Sequence, residues 1–441
     1  MGKVKIGDFL HRIKRPIVLN SNVDYKLVTI KMHHKGVVLR GLKKGSEIKS
    51  KMYEVKKGDF ILSGIDARNG AFGIVPEELD GAIVTNDFWY FSLDEKIIDK
   101  HFFLELTSTS WFDEICRLGS DGTTQRIRLQ KDKFFNQEIN LPSLDEQQDF
   151  ISKFIHSKTI NNKIEKEIDT QQKLLKKLRQ SILQEAIEGK LTKEWRGQNP
   201  DVEQASVLLE KIKQEKEQLI KEKKIKKQKP LPPISEDEIP FEIPDSWEWC
   251  RLDEISLVGT GATPLTSNQA YYKDGTINWI TSSATGDDFV FKAEKKITEL
   301  AIEETNCNIN PIGTLVIAMY GQGKTRGQIT ELMIESATNQ ACATINPYIK
   351  NIELRQFLKK YFNFIYLEIR KLAAGGSQPN LNMLKIRQTV TPLPPLQEQK
   401  EIVKKIENLF AVCDALEYEI QSSKKSSEQL MQAVLKEAFE K

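Results

Sequence analysis

A short segment, residues 321–327, combines three glycines with two cations in the order Gly-Gln-Gly-Lys-Thr-Arg-Gly. Together with Ala318 it matches a relaxed phosphate-loop pattern. A phosphate loop must open a helix, whose N-terminal amides hold the phosphate, whereas residues 326–330 continue as loop and strand. We therefore interpret the segment as a flexible basic loop, since Lys and Arg neutralise phosphates and Arg and Gln pair with purine edges in the major groove. A solvated hairpin tip is the alternative interpretation.

Two further segments imitate catalytic motifs without completing them. Residues 346–348, Asn-Pro-Tyr, resemble part of the base-clamping motif of adenine methyltransferases, but the second proline and an upstream glycine-rich cofactor loop are missing. Pro200-Asp201 with Glu222-x-Lys224 loosely imitates a metal-dependent nuclease, in a linker and a polar helix that could not hold a metal rigidly. No nucleophile elbow and no catalytic His pair is evident. We predict no catalytic, metal-binding or cofactor-binding residue on this chain.

Length and composition set outer limits on the fold and the location. The 441 residues suggest two to four domains, and the net charge of +3 says little about partners. The five cysteines are scattered without a C-x-x-C pair, which supports neither a zinc site nor a disulfide framework and favours a reducing cytoplasm. We expect no membrane span, because no run of about 18 apolar residues occurs, and no signal peptide.

An internal repeat organises the chain. Residues 141–147, Leu-Pro-Ser-Leu-Asp-Glu-Gln, match residues 393–399, Leu-Pro-Pro-Leu-Gln-Glu-Gln, at an offset of 252 (393 minus 141). The offset holds without insertion to the end of each segment, and neither proline nor glycine interrupts the residues after the opening Leu-Pro. The pattern predicts two long spacer helices, residues 143–189 and 395–441, each roughly 68 Å long at 1.5 Å per residue.

Apolar residues recur along both segments at three- and four-residue steps: Ile164, Ile168, Leu175, Leu178, Ile182, Ile402, Ile406, Leu409, Leu416 and Ile420. A narrow apolar seam is typical of a coiled coil. Because the two seams match within one chain, we predict that the helices pair with each other, antiparallel, about a pseudo-two-fold axis. Pairing of each helix with another protein is the alternative, and both arrangements are compatible.

The remaining segments, residues 1–142 and 244–394, share an outline. Each has a glycine that opens an apolar run, a polar glycine-rich loop, a Thr-Asn pair, a helix (99–117 and 351–373) and a small-residue loop. Short strands mixed with helices predict two domains of an α+β fold. Residues 190–243 form the predicted linker, with a polar helix over 203–228 that ends in a basic run. Those lysines either contact phosphate or form a solvated face.

The order of domain, Leu-Pro-x-Leu-x-Glu-Gln helix, domain and Leu-Pro-Pro-Leu-x-Glu-Gln helix resembles the specificity subunit of type I restriction–modification systems. Further matches are Pro-Asp-Ser-Trp-Glu-Trp at 244–249, Thr-Gly-Ala-Thr-Pro at 260–264, residues 317–327 and Thr-Asn-Gln-Ala at 338–341. The resemblance covers essentially the whole chain. The first domain lacks the Trp-Glu-Trp segment and the Gly-Gln-Gly-Lys-Thr-Arg-Gly loop.

The resemblance implies two target recognition domains, each for one half of a bipartite, asymmetric site in double-stranded DNA. The paired helices would set the spacing and dock two methylation subunits, which bind S-adenosylmethionine and methylate adenine. Added restriction subunits would cleave DNA with ATP and Mg²⁺, so this chain would be non-catalytic. A coiled-coil scaffold without DNA recognition and a free-standing nuclease or methyltransferase are the rival hypotheses.

The loops of the two domains supply the predicted DNA contacts. In the second domain they are Gln322, Lys324, Thr325, Arg326, Ser377, Gln378 and Asn380. In the first domain Arg68, Asn69, Thr123, Thr124 and Gln125 hold the corresponding places. Because the loops differ, we expect the two half-sites to differ.

Overall fold

The computed structural model describes residues 2–122, 127–321, 323–372 and 381–439. The chain divides into two compact units, of which the first comprises Met1–Ile168 with Ser422–Lys441 and the second comprises Asp169–Gln421. Each unit contains one of the two globular segments and a part of both long helices.

The first unit mixes short strands with helices. Its strands are β1 (Gly2–Lys5), β2 (Leu10–Ile13), β3 (Pro16–Ile17), β4 (Asp24–Ile30), β5 (Val37–Lys44), β6 (Met52–Glu54), β7 (Phe60–Ser63), β8 (Phe72–Ile74), β9 (Ile83–Val84), β10 (Phe88–Leu93), β11 (Ser120–Asp121), β12 (Arg128–Leu129) and β13 (Glu138–Leu141). Its globular helices are α1 (Ile6–Phe9), α2 (Lys100–Thr107), α3 (Ser110–Leu118) and α4 (Lys131–Phe135). One sheet has the order β2-β10-β7-β8 and another the order β3-β6-β9-β4-β5, while β1 pairs with β13 and β11 with β12.

An aromatic cluster forms the core beneath β7 and β8. The ring of Phe60 meets that of Phe103 edge-on with centroids 4.8 Å apart, and Phe72 meets Phe112 in the same way at 5.0 Å. All four side chains are buried. Edge-to-face packing of this kind stabilises a core beyond the area it buries, so the cluster holds the β7–β8 hairpin rigidly.

The second unit contains the strands β14 (Glu248–Arg251), β15 (Ser256–Thr260), β16 (Ile277–Ile280), β17 (Phe289–Val290), β18 (Lys295–Ile297), β19 (Leu315–Ala318), β20 (Ile329–Leu332), β21 (Ala337–Thr338), β22 (Cys342–Pro347) and β23 (Val390–Leu393). Its shorter helices are α6 (Lys193–Gln198), α7 (Ala205–Lys221), α8 (Leu252–Ile255), α9 (Glu299–Glu304), α10 (Ile352–Phe364), α11 (Tyr366–Leu372) and α12 (Met383–Arg387). The sheets have the orders β15-β22-β19-β20-β17 and β18-β16-β21, and β14 pairs with β23.

Strand order shows that the two units share one plan. The order β2-β10-β7-β8 recurs as β15-β22-β19-β20, and the antiparallel pair β1–β13 recurs as β14–β23. A one-turn helix follows β1 and β14 in both units. The α+β class predicted for both domains is confirmed, and the plan extends to the first strand of the first domain, where the sequence shows no counterpart of Trp-Glu-Trp.

The long helices are α5 (Leu144–Ile187) and α13 (Leu396–Phe439), and each has 44 residues. Helix α5 opens on a capping box, in which the amide of Ser143 donates to Glu146 Oε2 at 2.8 Å and the amide of Glu146 donates to Ser143 Oγ at 3.4 Å. The helix ends at Ile187, two residues before Gly189, which has a φ of +70°. The repeat predicts helices over 143–189 and 395–441, and α5 and α13 each lie within the corresponding range.

Along each long helix a series of buried or half-buried residues recurs at every seventh position. In α5 these positions hold Phe154, Asn161, Ile168, Leu175 and Ile182, and in α13 they hold Ile406, Cys413, Ile420 and Ser427. All are buried except Asn161, which is half-buried. A strict seven-residue repeat is the signature of a left-handed coiled coil. The predicted seam is too broad, since Ile164, Leu178, Leu409 and Leu416 flank these positions and are exposed.

Contacts inside each unit show the antiparallel sense of this pairing. In the first unit the Ser427 hydroxyl donates to Asn161 Oδ1, which joins the earlier half of α5 to the later half of α13. In the second unit Arg179 donates to Asp414 at 2.5 Å and to Glu417 at 3.1 Å, which joins the later half of α5 to the earlier half of α13. The predicted mutual, antiparallel pairing of the helices is confirmed.

The repeated Leu-Pro-x-Leu-x-Glu-Gln motif anchors both helices to their domains. In the first copy Gln147 is fully buried, accepts from the amide of Asp99 at 2.7 Å and donates to Ile97 O at 3.1 Å. In the second copy the carboxylate of Glu398 is fully buried. It accepts from Thr192 Oγ1 at 2.6 Å, from Trp247 Nε1 at 2.9 Å and from Arg196.

The helices predicted over 99–117 and 351–373 are each broken in two. Hydroxyl groups explain the first break, because Thr107 Oγ1, Ser108 Oγ and Thr109 Oγ1 all donate to carbonyls three residues earlier. Such bonds compete with the helix ladder. The second break lies at Ile365, between α10 and α11.

The predicted linker helix over 203–228 is also shorter than expected. Helix α7 packs on its domain through Ala205, Leu208 and Ile212, but it ends at Lys221, and Lys223 adopts a φ of +58°. The basic run 223–229 is therefore not helical. Downstream, the buried guanidinium of Arg251 donates to both carboxylate oxygens of Glu238 at 2.7 Å and to Pro233 O at 3.1 Å.

We call the bonds from Arg251 to Glu238 and Pro233 the Arg251 clamp. The first prediction concerns Glu238→Gln, which removes one carboxylate oxygen from this clamp. The Arg251 bonds lower the pKa of Glu238 to about 2, so the carboxylate stays ionised at all higher pH and the clamp is lost only as the pH falls through that value. At neutral pH the substitution should loosen the proline-rich segment and speed trypsin cleavage among the lysines at 221–229. Glu236→Gln, an exposed neighbour in the same turn, is the control, and equal cleavage rates for the two variants would contradict the clamp.

Candidate nucleic-acid interface

The two glycine-rich loops occupy the same place in the two units. Residues 64–71 join the antiparallel strands β7 and β8, and the loop after Ala318 joins the antiparallel strands β19 and β20. Arg68 and Asn69 lie in the first loop, and Lys324, Thr325 and Arg326 lie in the second. The other predicted contacts, namely Gln322, Ser377, Gln378, Asn380, Thr123, Thr124 and Gln125, lie outside the described residues.

The second-domain loop is exposed and shaped by glycine. Lys324 is exposed, while Thr325 and Arg326 are half-buried. Gly323 and Gly327 have φ values of +63° and +85°, which residues with a Cβ rarely adopt. The loop leads into β20, a strand, whereas a nucleotide-binding phosphate loop would lead into a helix. The geometry fits the basic-loop interpretation better than nucleotide binding.

Two side chains of helix α11 bind the backbone of this loop. Arg370 donates through Nη2 to Gly323 O at 2.7 Å and through Nη1 to Arg326 O at 3.0 Å. Tyr366 Oη donates to Lys324 O at 2.5 Å and accepts from Arg370 Nη1 at 3.0 Å. Three of the loop's carbonyl oxygens are thus bound by two side chains of one helix.

An open groove of about 600 Å³ lies beside the loop in the second unit. Its lining includes three cations, Lys176, Lys324 and Arg370, and two carboxylates, Asp287 and Asp288. Asp288 pairs with the buried Lys359, 3.0 Å away. Burial lowers the pKa of Lys359, although Asp288 opposes this shift. With one carboxylate paired elsewhere, the groove has an excess of positive charge.

The first-domain loop is covered, which the sequence did not indicate. The turn between β4 and β5 lies on it, because the amide of His33 donates to Asn69 O at 2.8 Å and the amide of His34 donates to Gly70 O at 3.0 Å. The ring of His34 also contacts Asp113 Oδ2 at 3.0 Å. Arg68 is half-buried, and Asn69 remains exposed.

The β4–β5 hairpin carries a basic surface that the sequence analysis missed. Residues 24–51 contain eight Lys or Arg and two Asp or Glu. Arg40, Lys43, Lys44, Lys49 and Lys51 are exposed, and within the described ranges none of them forms an ion pair. Strand β5 is the edge of its sheet. The excess of positive charge in residues 24–51 was the signal that the sequence offered for this surface. We call the five exposed cations the β5 basic surface.

Comparison with known proteins places both domains in one family. A family model described as the type I restriction modification DNA specificity domain matches residues 1–171 and 244–423. The chain belongs to this family. The two matched regions fall on the two copies of the repeat and include part of each long helix.

Relatives of this specificity family include the EcoEI and EcoAI specificity subunits of Escherichia coli type I restriction enzymes. They are 30% and 34% identical over 58% of the chain, and the alignments cover 44% and 43% of the relatives' own length. The chain thus spans somewhat less than half the length of these relatives.

Solved structures show the same fold. The HsdS subunit from Thermoanaerobacter tengcongensis aligns with a TM-score of 0.60 at 17% identity, over 99% of this chain and 96% of that one. A chain from a study of complex assembly in a type I restriction–modification system aligns at 0.68 and 17% identity, over 99% and 97%. Within the described ranges no helix is both long and apolar enough to cross a membrane.

Proposed function

We propose that the chain is the DNA specificity subunit of a type I restriction–modification complex. Each domain would bind one half of a bipartite, asymmetric site in double-stranded DNA, and the long helices would set the spacing. The observation that carries this proposal is that both copies of the repeat match the specificity family while the loops between their equivalent strands differ in sequence. Like scaffolds with unlike surfaces suit unlike half-sites.

The two domains would use different surfaces to contact the sugar-phosphate backbone of the DNA. The second offers the loop with Lys324 and Arg326 beside a positively charged groove. The first offers the β5 basic surface, since the turn between β4 and β5 covers the corresponding loop. Phosphate contacts of this kind position a protein on the duplex, and contacts to base edges then determine the sequence bound.

The partners in this proposal are two methylation subunits, which would supply S-adenosylmethionine-dependent adenine methylation, and restriction subunits, which would supply ATP- and Mg²⁺-dependent cleavage. The chain itself would be non-catalytic and cytoplasmic. The rival hypotheses are a coiled-coil scaffold without DNA recognition and a free-standing nuclease or methyltransferase. A mobility shift of duplex DNA by the chain with its methylation partner, and a turnover assay on the purified chain alone, distinguish them from the proposal.

The test of the proposal is a substitution in the second-domain loop, Lys324→Ala. A lost phosphate contact should lower the slope of log K against log salt by about 0.9, while the methylated sequence found by sequencing a host's methylated adenines stays the same. Arg326→Ala should instead cost about 1–3 kcal/mol if the side chain contacts a base, and relax one position of the motif. Lys190→Ala, which removes an exposed lysine already paired with Glu188, is the control. Indistinguishable binding by all three variants would overturn the loop assignment.

A further inference from the structure

We infer that Tyr366 and Arg370 are positioning residues for sequence discrimination by the second domain. They would act by holding the loop that carries Lys324 and Arg326, without contacting DNA bases themselves. The inference rests on the proposed function and adds to it the residues that fix the loop's conformation.

The described bonds from Tyr366 and Arg370 to the loop are made to backbone atoms. Arg370 bridges Gly323 O and Arg326 O, and Tyr366 Oη binds Lys324 O between them. Every residue has a backbone carbonyl oxygen whatever its side chain, so these contacts constrain the path of the chain across 323–326 and do not depend on the side chains there. A planar guanidinium can bridge two acceptors in this way, and the ammonium of lysine, a point charge, cannot reproduce the fixed fork.

Close packing adds a second constraint. The guanidinium of Arg370 lies over the ring of Tyr366, 5.3 Å from its centroid. A Cβ placed on Gly327 would lie 3.3 Å from Arg370 Cγ and 3.4 Å from the Tyr366 ring. The loop backbone therefore passes directly against the two side chains, and the amide of Gly327 is bound in turn to Ala318 O at 2.8 Å.

The bonded carbonyls also change the charge that the loop presents. A carbonyl oxygen carries partial negative charge and would repel a DNA phosphate. The oxygens of Gly323, Lys324 and Arg326 are bound by donors from α11, and the exposed Lys324 adds positive charge to the described part of the loop. A loop held in its binding conformation also avoids the cost of becoming ordered on the DNA.

The experiment compares Arg370→Lys, Tyr366→Phe and Lys371→Ala in the full chain. Lysine keeps the charge at 370 and loses the bridge; phenylalanine keeps the ring at 366 and loses the hydroxyl. Lys371 is exposed on the same helix and pairs with Glu368, 3.3 Å away, so it is the matched control. Each protein, together with its proposed methylation subunits, is used to select duplexes from a randomised library, and the base preference is read at every position.

We expect Arg370→Lys to weaken the preference at the second half-site by about 10- to 100-fold, and Tyr366→Phe by about 2- to 12-fold, because bonds to charged groups contribute more than neutral ones. The first half-site and the salt slope should not change in either variant. If Arg370 acted only through its charge on a phosphate, the Arg370→Lys variant would keep the base preference at the second half-site. That result would overturn the inference. So would preferences equal to those of Lys371→Ala. Failure of the wild-type complex to select any sequence would instead overturn the proposed function.

Discussion

Replacing Glu398 by alanine is expected to lower the free energy of unfolding by about 1–3 kcal/mol for each of the two buried donors that lose their acceptor. The Glu398 side chain is fully buried, and its removal leaves Arg196 without its carboxylate and the Trp247 indole N–H and the Thr192 hydroxyl without their acceptor. Urea unfolding followed by tryptophan fluorescence measures the loss.

Glu146→Ala is the matched control, because Glu146 occupies the same place in the first copy of the motif. There the carboxylate is exposed and only caps the start of α5. The Ser143 amide lowers the pKa of Glu146, which reflects a local bond. The loss from Glu146→Ala should be much smaller, and equal losses in the two variants would show that Glu398 does not anchor α13.

Neutralising the β5 basic surface with Arg40→Ala, Lys43→Ala and Lys44→Ala together should have the largest effect on DNA binding. Each phosphate contact contributes about 0.9 to the slope of log K against log salt, so losing three should lower the slope by about 2.7. The measurement is a titration of the complex with duplex DNA over a series of salt concentrations.

A triple variant of equal charge serves as the control for that titration. Lys57, Lys133 and Lys153 lie in the same unit and already pair with Glu77, Asp121 and Asp149. Their replacement by alanine removes three positive charges and should leave the slope nearly unchanged. The same decrease in both triple variants would mean that net charge, and not the β5 basic surface, accounts for it.

The long helices and the repeat were predictable because each depends on a local pattern. The offset of 252 aligns the two helices along the sequence. The Leu-Pro start and Gly189 mark the ends of the first helix in the sequence itself. The seam was predicted too broad, because steps of three and four residues include Ile164 and Leu178, whereas a coiled coil buries residues at a seven-residue spacing. Hydroxyl-to-carbonyl bonds at Thr107, which depend on rotamers, broke a helix that periodicity alone extends.

The candidate site was less predictable, because it depends on contacts between distant segments. Lys324 and Arg326 were predicted as DNA contacts from their glycine-rich surroundings. The bonds from Arg370 to the loop were not predictable, because they join residues 44 and 47 positions apart. The covering of Asn69 by the turn at His33 depends likewise on how two hairpins pack. The β5 basic surface corresponds to a local excess of Lys and Arg over Asp and Glu in residues 24–51.

The polar pair Asn161–Ser427 also bears on which helices can associate. At the offset of 252, Cys413 is the equivalent of Asn161, and Leu175 is the equivalent of Ser427. If the α5 helices of two molecules associated in this register, the amide of Asn161 would meet Leu175 and lose its hydroxyl partner. A fully buried amide without a partner costs about 1–3 kcal/mol; the half-buried Asn161 would lose a part of that, and the symmetric arrangement incurs the loss twice. Pairing of two α5 helices from neighbouring molecules is therefore disfavoured relative to pairing of α5 with α13.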